Sequence, residues 1–299
     1  MRRVLASAYV ASALATGIAC MFPLAGCGKP QPRAALSYTA DAKRAYDEAM
    51  TEFNAHNWIE AQGLFREVKR KYGYSKYARL AELRIADSDF EQEKYSEAIR
   101  GYRQFVHDHR ADADEVGYAR ARIAEAQYKQ IGDSFLLPSA DERDQAVVLD
   151  AFKELKGYLH DYPAGKESEK IRALLTDVIA RLMRHELYVA RFYLRVDNFD
   201  AAVLRVQFAM RNFAGTTPAK GQRSETAGGE AALAEPIDSG LEAEALLLLG
   251  EVYLKMHKPD EARDAFTALM HNYPQSPLIV QASNYLAYMK KRGVDAKYP

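Results

Sequence analysis

The chain has 299 residues, with 41 lysines and arginines against 41 aspartates and glutamates, and two cysteines. A formal charge of zero gives no basis for a nucleic-acid surface, and two cysteines cannot supply a disulfide framework. What remains must hold itself together by a hydrophobic core, for which the length is ample.

Met1-Arg2-Arg3 opens the chain with positive charge, and the apolar stretch behind it is rich in Ala, Ser and Gly. That is the pattern of a secretory signal. Val4 to Ala25 is also long enough for a membrane span, but its flank argues for cleavage: two small residues, a cysteine, then the helix-averse Gly28-Lys29-Pro30-Gln31-Pro32. Leu24-Ala25-Gly26-Cys27 has the look of a lipobox, the processing site of bacterial lipoproteins. Residues 1–26 are therefore expected to be removed, taking Cys20 with them. Cys27 becomes the lipidated N-terminus at the periplasmic face of the outer membrane. Residues 27–40 form a flexible tether.

Beyond it, glycine and proline are sparse, and apolar residues recur three and four apart, as in amphipathic helices. Five segments align without a gap on a shared alanine: Ala61, Ala98, Ala151, Ala202 and Ala262. Four residues later stand Phe65, Tyr102, Leu155, Val206 and Phe266; three further on, Val68, Phe105, Tyr158, Ala209 and Leu269. A ring closes each segment, at Tyr72, His109, Tyr162, Phe213 and Tyr273, and Pro163 and Pro274 follow two of them. A small residue lets paired helices approach, the next two positions share its face, and proline cannot continue the helix. Ala49, Ala86, Ala190 and Gly250 are the matching small residues of the preceding helices. This pattern resembles the tetratricopeptide repeat. The fold predicted is all-α: a tetratricopeptide-repeat solenoid of five helix pairs plus a C-terminal capping helix.

The intervals between repeats add further expectations. Residues 41–182 hold repeats 1–3, with an insertion at about 131–147 that carries Phe135-Leu136-Leu137-Pro138. A single long helix is expected where the third unit passes into the fourth, and residues 183–299 hold repeats 4 and 5. Between these two, the stretch from about 214 to 240 is rich in Gly, Ser, Thr and Pro and reads as a disordered loop. Ser276-Pro277 is expected to start the capping helix by N-cap and N1 logic.

A lipobox, a short tether and five such repeats with an insertion in the third resemble the BamD family, lipoproteins of the machinery that assembles outer-membrane β-barrels. The segments 72–100 and 151–171 look most like the family, whereas the Gly-rich loop is not expected in it. The resemblance implies an adaptor that receives unfolded β-barrel proteins and docks on the periplasmic domains of a BamA-like barrel subunit beside other Bam lipoproteins. The repeat register places Tyr46, Met50, Phe53, Leu83, Phe90, Tyr118 and Tyr128 on the concave face as a groove for an extended peptide. The fourth unit offers arginines instead, and the resemblance points to Arg195 and Arg205 as partner contacts. The alternative is a periplasmic tetratricopeptide adaptor that links cell division to the Tol system. That family usually opens with a coiled coil, and residues 28–40 contain no heptads.

Catalytic motifs are missing. His185-Glu186 lacks the second histidine of a helical zinc site. His107 and His109 diverge on a helix, and the glycine of Ala164-Gly165-Lys166 has no strand before it for a phosphate loop. No enzyme activity, cofactor, metal or nucleic acid is expected.

Overall fold

The computed structural model describes residues 33–132, 142–214 and 239–291. Eleven α-helices make up the described residues: α1 (Arg33–Asn54), α2 (Trp58–Lys71), α3 (Lys76–Glu91), α4 (Tyr95–Asp108), α5 (Ala113–Lys129), α6 (Ala146–Asp161), α7 (Ser168–Arg195), α8 (Phe199–Asn212), α9 (Glu242–Lys255), α10 (Pro259–Asn272) and α11 (Ile279–Lys291). Each helix packs on the one before and the one after it. They form five pairs in chain order, closed by α11.

The shared alanines explain the pairing. All five are fully buried, as are the five large residues one turn later, and those after them are at most 3% exposed. On the facing helices Ala49, Ala86 and Ala190 are at most 2% exposed. Gly250 goes further, since a Cβ there would stand 2.4 Å from the Phe266 ring. Tyr72, His109, Tyr162, Phe213 and Tyr273 are the C-caps of the second helices. Each donates its backbone N–H to the carbonyl of the third register residue, Val68, Phe105, Tyr158, Ala209 or Leu269. The ring position is thus also where the helix closes.

The turns inside the pairs carry a signature that periodicity does not reveal. His56, Glu93, Asp197 and His257 have φ between 56° and 66°, and each lies five residues before its shared alanine. This left-handed conformation reverses the chain between paired helices. The third pair differs, because its insertion stands there; residues 133–141 of that insertion lie outside the described residues.

The predicted long helix is α7, at 28 residues. Its buried side runs from Ile171 to Ala190 and joins the third pair to the fourth in one apolar cluster that spans α5 to α9. The first and second pairs have smaller clusters of their own. The capping helix needs one correction. It starts at Ile279 and not at Pro277, because Ser276 to Leu278 close a turn: the Ser276 side chain accepts from the Leu278 N–H and its carbonyl from the Ile279 N–H.

Candidate functional site

The first helices of units one to three bring the seven expected groove residues onto related positions, but not to equal exposure. On α1, Tyr46, Met50 and Phe53 are half-buried and lie against the first core cluster. The Tyr46 ring stands 5.6 Å from those of Phe65 and Tyr77, and Phe53 meets the Trp58 ring edge-on at 4.9 Å. Tyr118 and Tyr128 on α5 are also half-buried. Leu83 and Phe90 are a correction: at 4% and 7% exposure they belong to the core between the second and third units. Phe90 is closed in by the edge of Tyr95 at 5.3 Å and by the Arg122 guanidinium 3.6 Å over its ring. The neighbouring unit has used that face.

Beneath the rings lies a polar network that the sequence did not disclose. Asp87, 1% exposed, accepts hydrogen bonds from the hydroxyls of Tyr102 and Tyr118, the latter at 2.9 Å, and from Arg84. The Arg84 Nε donates to the Tyr46 hydroxyl at 3.3 Å. Arg122 donates to the Tyr102 hydroxyl at 3.3 Å, to Glu91 at 3.0 Å and to Glu125 at 3.1 Å. Lys170 reaches Glu125 at 2.9 Å. Arg84, Arg122 and Lys170 thus face Asp87, Glu91 and Glu125, and charge is balanced within the network.

The electrostatics follow from that arrangement. Burial pushes the Tyr102 and Tyr118 hydroxyls well above the usual tyrosine range, and the Asp87 carboxylate adds to it. Both stay protonated and act as donors. Burial works against the charge of Arg84, but Asp87 and the Tyr46 hydroxyl outweigh it and hold the guanidinium charged. Buried ionic groups of this kind are tolerable only when each has partners. What the network does for the groove is to fix Tyr46 and Tyr118 from below while their rings remain partly open. Tyr128 is fixed likewise, its hydroxyl donating to Asp177 at 2.9 Å.

The fourth unit is less simply cationic than expected. Arg195 is exposed, its guanidinium 6.0 Å from the centre of the Phe192 ring. Arg205 is held by the buried Glu186 of its own unit at 3.3 Å, and Arg191 pairs with Glu244. Apolar residues share this surface: Phe192 and Val196 at the end of α7, and Leu204 and Phe208 one turn apart on α8, are 41–61% exposed. Their exposure follows from the repeat register, which turns positions 204 and 208 away from the buried Ala202 and Val206. Cys27, the lipidation site, lies outside the described residues, as do the Phe135–Pro138 stretch and most of the Gly-rich loop.

No group of three His, Cys, Asp or Glu among the described residues could hold a metal ion. No described helix is long and apolar enough to cross a membrane.

The model of the YfiO family, described as outer membrane lipoprotein, matches residues 39–224, and a tetratricopeptide repeat model matches residues 244–276. Three similar curated proteins bear the name outer membrane protein assembly factor BamD. The protein from Neisseria meningitidis serogroup A is 21% identical over 242 residues, 80% of this chain and 82% of its own length. The one from Neisseria gonorrhoeae is 21% identical over 257 residues, 85% and 88% of the two chains. That from Caulobacter vibrioides is 25% identical over 264 residues, 88% of this chain and 76% of the relative.

Proposed function

The chain belongs to the YfiO family of outer membrane lipoproteins, and on that premise we propose that it is a non-enzymatic scaffold of the β-barrel assembly machinery. Residues 1–26 are the signal and residues 27–40 the tether. Lipid on Cys27 holds the protein at the periplasmic face; because one acyl chain binds only marginally, stable attachment takes two or more. Residues 41–182 receive unfolded outer-membrane β-barrel proteins. Residues 183–299 dock on a BamA-like subunit, with other Bam lipoproteins as further partners.

One observation carries the receiving role. Tyr46, Met50, Phe53, Tyr118 and Tyr128 leave ring or thioether surface partly open along successive first helices, and a charge-balanced network anchors three of them by their hydroxyls. An extended chain alternates its side chains, so that apolar residues on one face can meet such a row while backbone groups stay hydrated. The docking role rests on Arg195 and Arg205 with the exposed Phe192 and Phe208, since arginine and aromatic residues are favoured at protein interfaces.

The test is site-specific crosslinking in native outer membranes. Tyr46→Ala with Phe53→Ala should lose crosslinks to unfolded barrel precursors while the BamA-like subunit still co-purifies. Arg195→Ala with Phe208→Ala should do the reverse. Equal loss of both associations in both variants, at unchanged melting temperature, would refute the division of labour. Co-purification of Tol components in place of barrel-assembly subunits would refute the reading as a whole.

A further inference from the structure

The repeats do not close alike at their upper ends, where the first helix of a unit meets the ring that caps its second helix. In unit one Tyr38 of α1 stands edge-on to Tyr72, ring centres 5.4 Å apart. In unit two the capping His109 bonds to Glu82 at 2.7 Å and packs on Phe105, and Arg79 pairs with Asp112 at 3.0 Å. In unit four Phe208 lies against the capping Phe213, with Phe152 from the preceding pair on another side. Unit three has no counterpart to these among the described residues. Superposing Ala49, Ala86 and Ala124 of the first helices sets Ala113 where unit one has Tyr38, and Gly117 where it has Ala42. Beside the capping Tyr162 there is a cavity of about 320 Å³.

Rings form most of its apolar wall. Tyr162 and Tyr158 stack at 5.2 Å, Tyr118 contributes a third ring, and Gly117 comes within van der Waals distance of Tyr162. The opposite wall holds Gly165, where a Cβ would stand 2.9 Å from the Tyr158 hydroxyl, so only glycine leaves that ring in place. Asp114, Glu167 and Lys166 are the charged groups that line it. Two carboxylates against one ammonium give no site for an anion. They leave the ring-lined wall as the part that can recognise a ligand.

We propose that this cavity is a pocket for one aromatic side chain of an extended polypeptide, seated against Tyr162 as Tyr38 is seated against Tyr72 within the chain. The inference rests on the receiving role above and adds to it a specific seat, contiguous with the groove through Tyr118, which lines both. The occupant is argued from the chain's own pair: the same position of the repeat, the same capping tyrosine, and a ring that meets it edge-on, an arrangement aromatic pairs prefer. The charged rim indicates that the ring, and not a terminal carboxylate, is what the pocket reads.

Two amidated ten-residue peptides of alternating polar and apolar residues test this, identical except that one carries a central phenylalanine and the other alanine. Their affinities would be measured on the full chain in detergent, on Gly117→Leu and on the Tyr46→Ala, Phe53→Ala double variant. Leucine at 117 projects into the pocket from a helix it favours, so melting should be unchanged or raised. The wild-type chain should prefer the phenylalanine peptide at least about tenfold, the factor that 1.4 kcal/mol of binding gives. Gly117→Leu should bind both peptides alike. The double variant should bind both more weakly and keep the preference. If Gly117→Leu keeps the full preference, or if the wild type has none, the pocket is not the seat, while weakened binding in the double variant would leave the groove standing. If neither peptide binds the wild-type chain, pocket and groove both fall.

Discussion

Alanine at Gly250 is a sharp test of the repeat register, because the structure gives both halves of its energy. A Cβ there would lie 2.4, 2.6 and 2.8 Å from three atoms of the Phe266 ring. Carbon atoms do not pack that closely, so either the ring or helix α9 must move. The ring has little room: Phe266 is fully buried and stacked on Tyr285, centres 5.0 Å apart and planes 7° from parallel. Overpacking of a core costs about 1–3 kcal/mol, and three clashing atoms put this case near the upper figure. Replacing glycine by alanine inside a helix returns about 1 kcal/mol. The net loss is about 2 kcal/mol, or roughly 4–8 °C in melting temperature for a domain of this size. Thermal unfolding followed by circular dichroism would measure it. Gly63 and Gly157, also helical but with no atom within 4 Å of an added Cβ, are the controls, and alanine at either should raise stability by about 1 kcal/mol. A Gly250→Ala protein that melts at or above the wild-type temperature, with the controls stabilised, would show that α9 and α10 do not approach as described.

Glu93 is exposed at φ 61°. Glycine there should relieve the roughly 1–2 kcal/mol that a side chain costs in the left-handed region and give back about 0.5–1 kcal/mol in chain entropy. Glu93→Gly should thus melt slightly higher and Glu93→Val lower; the opposite order would refute the turn geometry. Asp87→Ala strips Tyr102, Tyr118 and Arg84 of their shared acceptor and should cost about 3–5 kcal/mol, as breaking a buried pair does; an unshifted urea midpoint would mean that the network does not form. Arg205→Glu sets a carboxylate beside the buried Glu186 and should cost about 1–3 kcal/mol, scaled down from the fully buried case because Arg205 is half exposed. Arg205→Gln should cost less, and equal melting of the two would show that the pair is not formed.

The fold was legible because a repeat states its own register five times. Each shared alanine is a contact between two helices, so the sequence encodes the pairing itself and not only helical periodicity. The same signal failed to find the small residue of the third pair. Ala124 fills that place, fully buried, but the insertion between α5 and α6 breaks the constant spacing by which the others were recognised. Arg122 and Glu125, repeating Arg84 and Asp87 of the second pair, were the available clue. The start of α11 was misplaced for a local reason. A serine before proline serves a turn as well as it serves a helix cap, and nothing near Ser276 in sequence separates the two.

The site was less legible, because periodicity tells which face of a helix a residue occupies but not what covers that face. Phe53, Phe90 and Tyr128 hold one register position in three successive units. Phe53 is half-buried beside Trp58, and Tyr128 is half-buried with its hydroxyl on Asp177. Phe90 is buried because the next unit sets an arginine over it. That arginine is Arg122, on a polar side of its own helix, where a reading by hydrophobic pattern has no reason to look. Arg205 misled in the converse way: it was read as a surface cation by type and position, but Glu186, nineteen residues earlier, already holds it. In a solenoid the core pattern is carried within each repeat, and exposure is decided by the neighbour. Residues that face a partner can therefore be told from residues that face the next repeat only after the stack has been assembled.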